Sequence, residues 1–164
     1  NLLLLARMDE GAGQVQAADF SLSDMLTAAL ESFAQPMEAK HISLEADVKP
    51  GVTLHADAGQ VEQLLSILLD NAVKYTDEGG AIWIRLRKED KKIRLSVQNT
   101  CETLPDTPPE KLFDRFYRGD TARTQRSGGY GIGLAMARTI AEANRGTLQA
   151  DYLPPDRICF TAQF

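Results

Sequence analysis

The run from Asp57 to Tyr75 leaves this chain little freedom in what it folds into. Asp57 can cap a helix, and Gln60 three residues later completes a capping-box pattern, so the helix has a defined start. Val61, Leu64, Leu65, Leu68 and Ala72 then fall on one face. Each large side chain of that stripe contributes roughly 1.5–3 kcal/mol if fully buried, so the helix must lie against a core. At its C-terminal end Asn71, Lys74 and Tyr75 stand at i, i+3 and i+4, projecting an amide, an ammonium and an aromatic ring from neighbouring positions. An amide oxygen suits a hard cation such as Mg²⁺, an ammonium suits a phosphate, and a ring suits an adenine or ribose surface. The same turn by itself also fits a plain polar helix end, with Lys74 facing the helix dipole.

Downstream, Gly128-Gly129-Tyr130-Gly131-Ile132-Gly133-Leu134 runs straight into a helical stretch from Ala135 to Arg145. Glycines let the backbone approach a ligand closely, and the unpaired N–H groups of a first helical turn attract an anion. Alone, such a cluster is more often a turn. Ahead of it, Cys101 to Gly129 is too long for an ordinary connection and predicts a lid, interrupted by a short helix over Glu110 to Tyr117. Leu112, Phe113 and Phe116 supply an apolar anchor for it. Arg115, Arg118, Arg123 and Arg126 concentrate positive charge just before the glycines, either as a solvated loop or as a phosphate-facing one.

With 164 residues, 43% hydrophobic and 25% charged, the chain is long enough for one domain with a sizeable core. The net charge of −5 argues against nucleic acid as a partner, so any anion is met locally. Cys101, Cys159, His41 and His55 have no metal-ligand spacing, and the histidines are assigned to strand edges rather than catalysis. No apolar run is long enough to span a bilayer. The first ten residues are helix-prone, uncapped and apolar on every face, as at the end of a longer helix, and Gly11 to Ala18 reads as a linker. The main domain is expected over 19–164. It should begin with a helix from Leu22 to Lys40, on which Leu22, Met25, Leu26, Ala29, Leu30 and Phe33 share the core face. Alternation over Ile42, Leu44 and Ala46, then Val52, Leu54 and Ala56, predicts two strands joined by a Pro50-Gly51 turn. A hairpin over Ala81 to Arg87 and Ile93 to Val97, turning at residues 88–92, and a final pair, Thr147 to Tyr152 and Arg157 to Phe164, complete the elements.

The order of motifs resembles the catalytic, ATP-binding domain of sensor histidine kinases, which shares its nucleotide fold with gyrase, Hsp90 and the mismatch-repair ATPases. Leu68-Leu69-Asp70-Asn71-Ala72-Val73-Lys74-Tyr75-Thr76 is similar to the family's asparagine box, Leu112-Phe113-Asp114-Arg115-Phe116-Tyr117-Arg118 to its phenylalanine box, and Gly129-Tyr130-Gly131-Ile132-Gly133-Leu134 to its second glycine box. The opening helix through Arg7-Met8-Asp9-Glu10 is similar to the end of the dimerisation helix in such kinases, which makes residues 1–18 that helix end and its linker. The resemblance implies a two-layer α/β sandwich, the Bergerat fold, with a mixed sheet covered on one face by three helices. It implies ATP and Mg²⁺ as cofactors, with Asn71 as the Mg²⁺ ligand, Lys74 and Arg118 on phosphates, and Tyr75, Asn99, Leu104 and Leu134 around the nucleotide. Gly129, Gly131 and Gly133 would carry the phosphate loop and lid hinge. The implied partners are the protein's own dimerisation and phospho-acceptor helices and a response regulator, with a homodimer in the full-length parent. The domain would be cytoplasmic and its parent membrane-anchored.

Four departures from the family pattern bear on chemistry. Asn99 stands where an aspartate usually accepts the adenine amino group; an amide oxygen can still accept, without charge assistance, at a loss on the order of 1 kcal/mol. Cys101 and Thr103 replace glycines of the first glycine box, while Thr100, Leu104 and Pro105 fit it. Ile67, one turn before Asn71, occupies a position that is glutamate in hydrolytic members, so transfer is favoured over hydrolysis. Cys159 precedes Phe160 where the family often has a hydroxyl residue near the base. Neither histidine has the sequence context of a phospho-acceptor, so the acceptor is expected elsewhere. Two other readings stay open: a nucleotide-sensing module that regulates a partner, and a serine kinase acting on an anti-sigma partner.

Overall fold

The computed structural model describes residues 14–114 and 133–164. The first strand, β1 (Ala18–Ser21), leads into α1 (Leu22–Ser32), whose N-cap Ser21 accepts from the Asp24 N–H at 3.1 Å. A short α2 (Ala34–Ala39) follows at once. The single helix expected over Leu22 to Lys40 is therefore broken at Phe33. Pro36 explains the break, because it has no N–H and its ring would collide with the carbonyl four residues back, at Ser32. The core face holds as far as the break, with Leu22 and Leu26 fully buried and Met25, Ala29, Leu30 and Phe33 packed against the core, and beyond it α2 buries Met37.

Strands β2 (Ser43–Val48) and β3 (Thr53–Ala56) form, with Gly51 in the turn between them at φ 73°. They do not pair with each other. β3 pairs antiparallel with β1, whereas β2 lies parallel to β4 (Ala81–Glu89) at the edge of the main sheet. Leu44 is consequently 38% exposed rather than part of the core. A parallel pair needs a crossover, and the long helix α3 (Ala58–Tyr75) lies in the one joining β2 to β4. Asp57 caps α3 as its sequence predicts, accepting from the Gln60 N–H at 3.1 Å.

β4 and β5 (Lys92–Thr100) form the expected hairpin, but its turn is only Asp90-Lys91, with both residues at positive φ as a primed two-residue turn requires. β6 (Thr147–Leu153) and β7 (Arg157–Gln163) complete a five-stranded mixed sheet in the order β2-β4-β5-β7-β6. Strand alternation sorts its two faces. Ile82, Ile84, Leu86, Ile93, Leu95, Val97, Leu148 and Phe160 are buried in one core with the stripe of α3 and with α1 and α4 (Gly133–Ala143). Across the sheet, Trp83 carries the Arg157 guanidinium over its ring at 4.2 Å. This is the expected α/β sandwich, with helices on one face. Of the short helix expected over Glu110 to Tyr117, a 3-10 turn covers Pro109–Phe113, and its remainder lies outside the described residues. The helix expected over the first ten residues also lies outside them.

Candidate functional site

α3 and α4 pack side by side in opposite directions. At one end Asn144, just past α4, accepts from the Asp57 N–H at 2.9 Å and donates to Gln60 Oε1 at 2.9 Å. Midway, Gln63 Nε2 lies 3.5 Å from Met136 Sδ. At the other end Ile67 faces Gly133, where an added Cβ would stand 3.5 Å from Ile67 Cγ2. This progression sets Ile67 level with the first residue of α4, and the turn that begins at Asn71 follows one helical turn further on, past the N-terminal end of α4. The amide, ammonium and ring of that turn thus lie beside a helix N-terminus, whose unpaired N–H groups favour an anion.

Within the turn, Asn71 is half-buried and Tyr75 is 38% exposed. Lys74 holds Asp70 at 2.9 Å across one helical turn. Asn99 sits on the helix-covered face of β5, 1% exposed, and donates from Nδ2 to the Thr100 carbonyl at 3.0 Å. One Nδ2 hydrogen is used in that bond, which leaves Oδ1 and the second Nδ2 hydrogen to meet a ligand. Leu104 is half-buried in the segment after β5, and Leu134 packs against the core from the first turn of α4. Arg118, Gly129 and Gly131 lie outside the described residues. Among the described residues no group of three histidine, cysteine or carboxylate side chains could cage a metal ion.

The described segment after β5 is anchored near its end. Phe113 is buried, meets Phe160 edge-on with centroids 6.1 Å apart, and lies under the Arg138 guanidinium at 4.2 Å. Arg138, on α4, also pairs with Glu110 at 2.9 Å. Leu112 packs beside Phe113, as the apolar pattern predicts; Phe116 lies outside the described residues.

Cys159 requires a correction. The register sets Asn99 opposite Ile158 and Gln98 opposite Cys159, so Cys159 points to the face of the sheet away from Asn99. Ile158 is the β7 residue beside Asn99, a neighbour that the period of two gives once the register is known. Burial pushes the Cys159 thiol above its ordinary pKa; its contact with Thr161 opposes the rise and the Asp151 carboxylate adds to it. His41 and His55 bind surface carboxylates, Glu78 at 3.1 Å and Asp19 at 2.7 Å. Sequence reasoning also missed Asn144, Arg138 and Lys40, which hold the site helices and carry no motif signal of their own.

Residues 56–164 match the family described as histidine kinase-, DNA gyrase B- and HSP90-like ATPase. The chain is 33% identical over 159 residues to the signal transduction histidine-protein kinase BaeS of Escherichia coli K12, covering 97% of this chain and 34% of BaeS. It thus spans about a third of that relative. The catalytic domain of histidine kinase ThkA superposes with a TM-score of 0.77 at 25% identity, covering 91% of this chain and 95% of that one. ThkA in complex with the response regulator protein TrrA also matches, with a TM-score of 0.74 at 22% identity over 99% of this chain and 47% of that one. Full-length ShkA, in complex with AMPPNP, superposes with a TM-score of 0.83 at 24% identity over 99% of this chain and 34% of ShkA. No helix among the described residues is long and apolar enough to cross a membrane. The chain belongs to the histidine kinase-, DNA gyrase B- and HSP90-like ATPase family, as a catalytic ATP-binding domain of the sensor histidine kinase type.

Proposed function

We propose that this domain transfers the γ-phosphoryl group of ATP to a histidine on dimerisation helices outside the given sequence. The observation that carries the reading is the meeting of Ile67 and Gly133, which sets the Asn71 turn beside the start of α4. Asn71 fits a Mg²⁺ ligand, because its half-buried amide oxygen has no partner among the described residues. Mg²⁺ rarely relies on an all-protein cage; one protein oxygen with phosphates and water is enough to hold it, and the ion then offsets phosphate charge. Lys74 would exchange Asp70 for phosphate, since an exposed i,i+4 pair is worth only about 0.3–0.5 kcal/mol. Arg118 would meet the phosphates from the lid, and Gly129, Gly131 and Gly133 would give the lid its hinge. Tyr75, Leu104 and Leu134 would line the nucleotide, with Asn99 Oδ1 accepting from the adenine amino group.

The chemistry asks little else of the protein. The lone pair of a neutral imidazole nitrogen attacks the γ-phosphorus while the bond to the bridging oxygen breaks, and ADP leaves with that electron pair. The attacking nitrogen carries no proton, so no base is needed, and positioning and electrostatics do the rest. Ile67 beside Gly133 offers water no base, which favours transfer over hydrolysis. In the parent, a homodimer anchored in a membrane with this domain in the cytoplasm, the phosphoryl group would pass on to a response regulator. The ThkA–TrrA complex and the AMPPNP held by ShkA support these two parts of the reading.

The test is a fluorescent ATP titration with and without Mg²⁺, followed by incubation with separately produced dimerisation helices. Saturable Mg²⁺-dependent binding, abolished in a folded Asn71→Ala variant, and an acid-labile phosphoprotein are expected. Absence of saturation up to millimolar nucleotide would remove the kinase reading. Asn99 in place of a carboxylate is the one feature favouring a nucleotide-sensing module instead; weak binding without transfer to the helices would establish it.

A further inference from the structure

A helix leaves its last carbonyls without partners, and they are commonly met by a following glycine or by a basic side chain of the final turn. α3 uses neither. Its C-cap residue Thr76 is extended, at φ −80° and ψ 128°, and its own basic residue, Lys74, reaches back to Asp70. The carbonyls are met in another way. Ala72 O accepts from both the Thr76 N–H, at 3.0 Å, and Thr76 Oγ1, at 2.6 Å. Val73 O and Lys74 O accept from one ammonium, Lys40 Nζ, at 2.8 and 3.2 Å. Lys40 stands at the C-cap of α2, and its own carbonyl accepts from the Gly79 N–H at 2.9 Å in the loop that leaves α3. Its side chain and main chain therefore grip the final turn of α3 and the loop beyond it.

We infer that Lys40 is a positioning residue for the nucleotide site, acting through the turn that carries Asn71, Lys74 and Tyr75. The inference rests on the proposed function of that turn. Val73 and Lys74, whose carbonyls Lys40 holds, sit between Asn71 and Tyr75 in the chain. A shift of their peptide groups reorients all three side chains together. The Asp70–Lys74 pair cannot hold the turn alone, because it is exposed and Lys74 would release it to bind phosphate. The ammonium of Lys40 is bound to backbone and needs no such release.

Coupling of this kind is reciprocal: if the Lys40 clamp strengthens MgATP binding, bound MgATP must strengthen the clamp. That gives a readout in the unaltered chain. Exchange of the Lys40 ammonium protons with water, followed by nitrogen NMR, should slow severalfold when MgATP saturates the site. Lys40→Met should weaken MgATP binding about tenfold, the scale of one lost charge-assisted bond. Lys40→Arg, which can also donate to two carbonyls, should bind within about twofold of the parent chain. Circular dichroism identifies a Met variant that has not folded, and the proton-exchange measurement then decides. Ammonium exchange unchanged by MgATP, or a folded Lys40→Met chain that binds as tightly as the parent, would overturn the inference. If the unaltered chain binds no MgATP, the proposed function fails first and takes this inference with it.

Discussion

The Asn144 side-chain oxygen accepts from the Asp57 main-chain N–H at 2.9 Å, joining the exit of one site helix to the entrance of the other. The same amide donates to Gln60 Oε1 at 2.9 Å and to Ile140 O at 2.8 Å, and the residue is only 7% exposed. Asp57 in turn accepts from the Gln60 N–H through Oδ1 and from the Gln16 N–H through Oδ2. Asn144→Ala strips a part-buried N–H of its acceptor, at a cost of about 1–3 kcal/mol. Urea unfolding should show that loss, and MgATP affinity should fall with it as the two helices lose their common fastening. Unchanged stability would mean that the amide is dispensable.

Asn99 gives opposite predictions for folding and for binding. Asn99→Asp removes the Nδ2 donor from the Thr100 carbonyl and buries a carboxylate, so the free chain should be less stable at neutral pH than on mild acidification. The same change supplies charge assistance toward the adenine amino group, worth about 1 kcal/mol or roughly fivefold in ATP affinity. Paired unfolding and titration measurements check both signs. Weaker ATP binding in the folded aspartate variant would remove Asn99 from the base site.

Arg138 holds the 3-10 turn over Pro109–Phe113 through Phe113 and Glu110. Replacing it with methionine keeps much of the packing but removes the cation, and the lost ring contact is worth about 1 kcal/mol. Limited proteolysis should then cut faster between Cys101 and Asp114, while the sheet and α3 remain protected. Equal cleavage rates would show that the ring contact with Phe160 anchors this segment unaided.

The Cys159 thiol is pushed up chiefly by burial, so the folded chain keeps its proton at a pH where the unfolded chain, with a thiol pKa of about 8.5, releases it. Stability contributed by the neutral thiol is complete below the unfolded value. It falls as pH rises above that value, until the folded pKa is passed. Urea midpoints should therefore drop between neutral and alkaline pH, and Cys159→Ala should flatten that slope. An identical slope in the variant would assign the loss to other groups.

The elements that local chemistry specifies were legible in the sequence. Asp57 and Gln60 announce the start of α3, the leucine stripe its buried face, and the period of two the β4–β5 hairpin. The break at Phe33 was also written, in Pro36, but the unbroken apolar spacing from Leu22 up to Phe33 masked it. Pairing partners were the harder matter. Pro50-Gly51 between two alternating runs marks a turn but names no partner, and only the full sheet shows β2 taking β4 and β3 taking β1. In the site, Asn71, Lys74 and Tyr75 stood out because one helical turn brings them together. Lys40 and Asn144 did not, because their partners lie 33 and 87 positions away and nothing local marks a long-range fastening.

The parallel pairing of β2 with β4 has a consequence for the order in which this molecule is built. Ser43 meets Ala81, so the first strand of the large sheet leaves the ribosome well before its neighbour among the described residues does. By the time β4 emerges, all of α3 has already been synthesised and can coil on its own hydrogen bonds. During translation, then, the nucleotide-bearing helix precedes the platform on which it will rest, and β2 must wait, unpaired, for the second half of the chain.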